Sequence, residues 1–354
     1  VGKEREKGAL GKGGKISIVV AVIVCLGVGF FAGWSLKSAP TPEVAEPTEI
    51  TKPAEDMYFR FIGHWPGGDP FSAVVVKGWN DAVEELGCQS SFDFCGGDVD
   101  SQITKIQEAV ATDVDGIVTT IISDTAFDGP IQDALDSGVN VICANADDSE
   151  GAKGNPRKCF IGQTFYTAGQ ILGRYIGNKM TEEGIDPATL GEIPVYAAIP
   201  TAPWCVQRTA GISDALEEFG VDSDNVKIID CGGEEVFETR ISAYITGHPD
   251  LKMQFTINGI IADRLAGIME SVEINPGDIL TGVFDTTSGT IDGIGDGYIT
   301  VTIDQQPYLQ GYCGAYMLYL MEKYDFIADL DTGKAVVDSS NLSLFKELSP
   351  LHVR

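Results

Sequence analysis

The sequence predicts an α/β protein made of two doubly wound parallel-sheet lobes, preceded by an N-terminal transmembrane anchor. Three observations predict this fold. Two runs of five strand–helix units lie about 135 to 140 residues apart. At 354 residues the chain is too long for one ordinary core and suits two domains of about 150 residues each. A 19-residue apolar run, Ile16 to Trp34, stands apart near the beginning.

The basic segment 1–15 carries Lys3, Arg5, Lys7, Lys12 and Lys15, whereas Lys37 alone follows the apolar run closely. The positive-inside rule therefore leaves 1–15 cytoplasmic and the remainder outside. As a helix at about 1.5 Å per residue, the run within 16–36 nearly spans a hydrocarbon core of about 30 Å. A cleaved secretory signal is the alternative, but the run exceeds the usual apolar region of about 7 to 15 residues. Cys25 lies within it as a small buried residue. Residues 37–56 are rich in Pro, Glu and Thr without an apolar period and read as a tether.

Beyond the tether, the first run of strands is expected to begin near Tyr58, Gln89, Gly116, Asn140 and Lys158, and the second near Ile193, Val226, Met253, Ile279 and Tyr298. Alternation of this kind favours parallel sheets covered by helices, because parallel strands need crossover connections. Such sheets bind ligands beyond the carboxyl ends of their strands. Asp69, Asn145, Asn258, Asp285 and Gln305 are placed at those ends.

A hydrophobic content of 44% is enough for two cores, and the net charge of -28 argues against a nucleic-acid partner. Such acidity fits solubility or salt adaptation better than a site for cationic partners. The three histidines, His64, His248 and His352, are far apart and no Cys-x-x-Cys occurs, so no metal site and no cofactor are expected. Cys88 and Cys95 bracket one strand, about 23 Å apart at about 3.3 Å per residue, too far for a bridge. Cys143 with Cys159 and Cys205 with Cys231 can each bridge neighbouring strand–helix connections or remain buried thiols, as Cys313 can.

The first strand–helix junction, His64-Trp65-Pro66-Gly67-Gly68-Asp69-Pro70-Phe71, combines a carboxylate with two aromatic rings. Asp69 suits the helix N-cap and Pro70 the first helical position. Neither G-x-G-x-x-G nor G-x-x-x-x-G-K-[ST] is present, so a nucleotide loop is not expected. Trp65 and Phe71 offer ring faces suited to a sugar, or pack against the lobe while Asp69 merely caps. Asn341-Leu342-Ser343 forms an N-glycosylation acceptor pattern.

Several segments in order carry a resemblance: Asp69-Pro70-Phe71, Ile161 to Gly169, Arg208-Thr209-Ala210-Gly211, Gly247-His248-Pro249-Asp250 leading to Thr256-Ile257-Asn258-Gly259, Val283-Phe284-Asp285, and Thr302 to Gly311, which includes Asp304-Gln305-Gln306-Pro307 and Gln310. From Met57 onward the chain resembles the ribose- and xylose-type sugar-binding proteins of ABC transporters, in the type I periplasmic-binding superfamily. The resemblance implies ligand contacts from Arg208, Asn258, Asp285 and Gln305. Asp accepts two hydroxyl hydrogens, Arg donates a planar fork, and Asn and Gln do both. Helix capping by Asn258 and a turn role for Asp285 are the alternatives. Many ribose-type relatives carry Asp-Arg where Asn145-Ala146 stands here, so ribose itself is not implied. Trp204 is an added aromatic that stacks on ligand or fills the lobe interface.

The resemblance further implies a hinge of three crossings, near Gly162–Thr164, Asp304–Gln306 and Ile327–Gly333. Lobe 1 would comprise 57–162 plus 306–329, and lobe 2 163–305 plus 330–354. Closure on a monosaccharide or related polyol would present a loaded form to an ABC transporter permease, with the anchor holding it at the membrane. A membrane-anchored sensor working with a signalling partner would use the same clamp. No catalytic triad spacing or cofactor loop is present, so an enzyme is not expected.

Overall fold

The computed structural model describes residues 52–348, Leu351 and Val353. The basic end, the apolar run with its expected membrane span, and the tether up to residue 51 lie outside the described residues. Among the described residues no helix is long and apolar enough to cross a membrane. The last tether residues belong to the folded body, because the Lys52 ammonium pairs with Asp115 at 2.8 Å and the Gln89 side-chain amide donates to the Glu55 carbonyl.

Two six-stranded sheets form the frame. The first contains β1 (Tyr58–Gly63), β2 (Gln89–Phe94), β3 (Gly116–Thr119), β4 (Asn140–Ala144) and β5 (Phe160–Gly162). The second contains β6 (Ile193–Ala197), β7 (Val226–Asp230), β8 (Met253–Thr256), β9 (Leu280–Phe284) and β10 (Val301–Asp304). Their orders, β5-β4-β3-β1-β2 and β10-β9-β8-β6-β7, repeat the same topology, and all these pairings are parallel. The last strand starts later than the expected Tyr298, because the Tyr298 and Ile299 amides close the preceding helix on the Gly293 carbonyl.

Each sheet gains one short strand that the sequence did not announce. β11 (Leu330–Asp331) pairs parallel with β5, and β12 (Ala335–Val337) pairs antiparallel with β10. The chain passes from the first sheet to the second between Asp331 and Ala335, a link that overlaps the segment Ile327–Gly333 expected for the third crossing.

Helices cover both faces: α1 (Pro70–Leu86), α2 (Val99–Ala111), α3 (Asp128–Asp136), α4 (Phe165–Glu182), α5 (Pro203–Glu217), α6 (Phe237–Gly247), α7 (Gly259–Ser271), α8 (Ser288–Gly295), α9 (Pro307–Tyr324) and α10 (Leu342–Leu348). Side chains alternate across a strand, so neighbouring residues feed different cores. Phe61 joins Trp79 and Leu318 on one face of the first sheet, while Ile62 joins Ile117 and Phe127 on the other.

The same alternation decides the cysteines, and the seven described ones are free thiols. The Cys143 amide donates to the Cys159 carbonyl at 2.9 Å, yet the two side chains enter cores on opposite faces of the sheet. Cys205 and Cys231 are divided likewise across the second sheet. The bridges left open by the sequence are therefore not formed. At the glycosylation pattern, the Asn341 Nδ2 donates to the Val336 carbonyl at 2.9 Å, a bond that a glycan on that nitrogen would displace.

One helix pair in each lobe packs backbone to backbone through glycine. A methyl group at Gly78 on α1 would collide with the Tyr308 carbonyl on α9, and one at Gly311 on α9 with the Val75 carbonyl on α1. In the second lobe, Gly169 on α4 meets the Arg208 carbonyl and Gly211 on α5 meets the Tyr166 carbonyl. The side chain missing at Gly169 thus sets how closely the Arg208 backbone approaches α4.

These contacts reverse the usual sign of a helix glycine substitution. Gly211→Ala should lose about 1 to 3 kcal/mol of stability to overpacking. Gly267→Ala, in α7 with open space around it, should gain up to about 1 kcal/mol from helix propensity. Urea unfolding of both variants checks this, and an unchanged or raised midpoint for Gly211→Ala would contradict the close-packing account.

Candidate functional site

Strand ends bring polar side chains to one edge of each sheet, as expected for parallel strands. At the second sheet, Asp285 follows β9 with φ 74° and Gln305 follows β10. The Gln305 side-chain Nε2 donates to Asp285 Oδ1 at 2.5 Å. Asp285 Oδ2 has no hydrogen-bond partner among the described residues. Burial raises the Asp285 pKa; Arg208 and Gln305 pull it back, and Asp304 and Asp69 push it up. The Asp69 carboxylate of the first lobe is thus within electrostatic reach of Asp285 in the second.

Arg208, on α5, is 3% exposed. Its Nε donates to Gln163 Oε1 at 2.8 Å and its Nη1 to the Ile257 carbonyl at 2.8 Å. The guanidinium carbon lies 4.2 Å from the Phe284 ring centroid and 5.1 Å from that of Phe165. Burial lowers its pKa to about 10 while Asp285 opposes the fall. Among the described residues no carboxylate lies within ion-pair distance of it, so carbonyl, amide and ring faces hold the charge. Among the described residues its Nη2 has no hydrogen-bond partner.

Asn258 stands at the N-cap position of α7 but makes no side-chain cap. Its Oδ1 instead accepts from the Ala198 amide at 3.0 Å, which leaves Nδ2 as a donor. The capping alternative is thereby replaced by a link between the ends of β6 and β8. Asn145 follows β4 with φ 65° and donates Nδ2 to Gln310 Oε1 at 3.1 Å. Arg208, Asp285, Gln305, Asn258 and Asn145 each spend one part of the side chain on the protein and keep another free of partners among the described residues.

The aromatic residues divide differently. Trp65 is 7% exposed and packs beside Phe61, His64 and Phe71 with ring centroids 6.1, 4.6 and 5.8 Å away. It stands as a member of the first lobe's core, the alternative given for it, with the half-buried Phe71 packed on that core. Asp69 caps α1, accepting the Ser72 amide at 2.7 Å. Trp204 is half-buried against the core between the second sheet and the α4–α5 pair.

Three residues that lie within the sequence segments singled out above, without a ligand role assigned to them, belong to this neighbourhood. Gln163 holds Arg208 while its own Nε2 is buried without a partner among the described residues. Gln310 holds Asn145. His64 stacks on Trp65, and its ring Nδ1 lies 3.0 Å from Thr120 Oγ1. Gln163 and Gln310 fall in segments that carry the family resemblance and His64 opens the first strand–helix junction, but nothing local in the sequence marks the bonds they make.

Burial lowers the His64 pKa from 6.5 to about 4, with Asp69 opposing. The unfolded chain therefore binds the proton first, so this contribution to stability is complete above about pH 6.5 and is lost as pH falls through about 4. Between pH 7 and pH 4.5 the histidine should account for about 2 kcal/mol of the stability lost. Chemical unfolding at both pH values checks this against His64→Gln, whose loss should be smaller by that amount; an equal loss would refute it.

Residues 61–324 match the periplasmic binding protein domain family. The chain is 27% identical to the xylose/arabinose-binding protein XylF of Sulfolobus acidocaldarius over 96% of its own length and 86% of the relative. It is 26% identical, at a TM-score of 0.66, to the periplasmic sugar-binding protein of an ABC sugar transporter from Legionella pneumophila, covering 78% of this chain and 99% of that one. The fold is also that of an ABC transporter solute-binding protein from Burkholderia graminis in complex with D-arabinose, at a TM-score of 0.71 and 21% identity over 83% and 99% of the two chains. With three-quarters of its length matched and the same two-sheet frame, the chain belongs to the periplasmic binding protein domain family, as a binding protein and not an enzyme.

Proposed function

We propose that the chain is the solute receptor of an ABC transporter, closing on a monosaccharide of the pentose class and presenting it to a permease. The observation that carries this reading is the cluster of Arg208, Asp285, Gln305, Asn258 and Asn145, each held at one end and free at the other. A pentose presents hydroxyls that donate and accept at once. Asp285 Oδ2 supplies an acceptor, Arg208 Nη2 and Asn258 Nδ2 supply donors, and the amides of Gln305 and Asn145 offer a free oxygen. Kinship with a xylose/arabinose-binding protein supports the pentose class.

In this reading, lobe 1 comprises the first sheet with α1, α2, α3 and α9, and lobe 2 the second sheet with its helices. Ligand stabilises the closed form because only that form offers contacts from both lobes. Asp69 at the first sheet and Asp285 at the second would approach further on closure, and ligand hydroxyls between them would replace mutual repulsion by shared hydrogen bonds. The apolar run at 16–34 would anchor the receptor, and the tether would raise its local concentration at the permease.

Thermal unfolding against a panel of pentoses, hexoses, polyols and nucleosides tests the reading. A pentose at about 1,000 times its dissociation constant should stabilise by about 4 kcal/mol. No shift with any sugar or polyol would overturn it. Asp285→Ala or Arg208→Ala should weaken binding of the stabilising sugar by about 2 kcal/mol or more, since each leaves a buried charge or donor unmet. Calorimetric titration reads the loss, and unchanged affinity in both variants would remove these residues from the site.

A further inference from the structure

We infer that Gln310 is a positioning residue that sets the orientation of the Asn145 amide and couples the ligand-facing residues of the two lobes through the crossings. Its consequence for sugar binding rests on the function proposed above; the coupling itself does not. Gln310 lies on α9, just after the second crossing, and is 0% exposed. Its Nε2 donates to the Gln305 carbonyl at 3.0 Å and to Thr332 Oγ1 at 3.3 Å.

A backbone carbonyl only accepts, so the end of Gln310 that faces Gln305 must be the nitrogen. Its oxygen is then the end that faces Asn145, and Asn145 must turn its own nitrogen towards it, at 3.1 Å. Asn145 Oδ1 is left free of protein partners among the described residues. One backbone carbonyl therefore dictates, through two amides, that β4 ends in an available acceptor. The left-handed φ of 65° at Asn145 fixes where that acceptor starts from.

The same bonds continue into the second lobe. Gln305, whose carbonyl Gln310 holds, donates its side-chain amide to Asp285. An unbroken line thus runs from Asn145 through Gln310 and Gln305 to Asp285. A branch reaches Thr332 in the third crossing, whose amide donates to the Gly162 carbonyl at 2.9 Å and whose carbonyl accepts from the Gln306 side chain at 2.7 Å. Methionine at 310 would fill a similar volume and lose the bonds of the Gln310 side chain to Asn145, Gln305 and Thr332. Glutamate would set a carboxylate against the Gln305 carbonyl.

The test combines a mutant cycle with a measurement that needs no ligand. With the sugar that stabilises the parent protein, Gln310→Met and Asn145→Ala should each weaken binding by about tenfold. The double variant should be no weaker than the weaker single variant, since Gln310 acts through Asn145. Losses that multiply, or unchanged affinity in Gln310→Met, would overturn the inference. Hydrogen–deuterium exchange on the ligand-free protein provides the second measurement. Gln310→Met should speed exchange at 145–147 and at 331–333 together, leaving the α4–α5 pair unchanged. Uniform acceleration, or none, would overturn the coupling whether or not any sugar binds, whereas local acceleration in a protein that binds no sugar would support the coupling and refute the proposed ligand.

Discussion

The crossings between the two sheets must satisfy their backbone groups where no ladder or helix is available to do so. The structure solves this by making the crossings partners of one another. Asp331 Oδ1 accepts the Thr164 amide at 3.2 Å and the Gly333 amide at 2.9 Å. The Thr332 amide donates to the Gly162 carbonyl, and the Gln306 side chain reaches the Thr332 carbonyl. Gln306 itself adopts φ 52° while its amide is held by Asp304 at 2.7 Å. A non-glycine residue in that region costs about 1 to 3 kcal/mol and persists only where its surroundings over-determine it. The residues of the candidate site flank these crossings, so their stance depends on this closed set of bonds.

A buried cation depends on the same frame. Desolvating a guanidinium is expensive unless its donors are met. Arg208 is met by Gln163 from the first crossing, by the Ile257 carbonyl and by two aromatic faces. Gly333 in the third crossing lies so close to the Gln163 side chain that a methyl group there would collide with it. The Arg208 backbone, in turn, is brought into place by the glycine contact of α5 with α4. Helix packing, crossing geometry and the charge at the site are thus one mechanical system. The protein keeps Arg208 and Asp285 near enough to feel each other yet leaves polar atoms of both available.

What the sequence by itself determined was whatever depends on near neighbours along the chain. The strand–helix alternation, the two repeated runs, the Asp69 cap and the placement of Asn145, Asn258, Asp285 and Gln305 at strand ends follow from local periodicity and turn chemistry. The two-residue β11 and three-residue β12 have no period to read, so neither strand was legible in the sequence. Only the tertiary structure decided which face of a sheet each cysteine entered, and that Trp65 belongs to a core. It alone joined Asn145 to Gln310, 165 residues away. A glutamine in a helix looks like any other helix former until a carbonyl from another segment arrives to orient its amide, and that arrival is a property of the folded backbone.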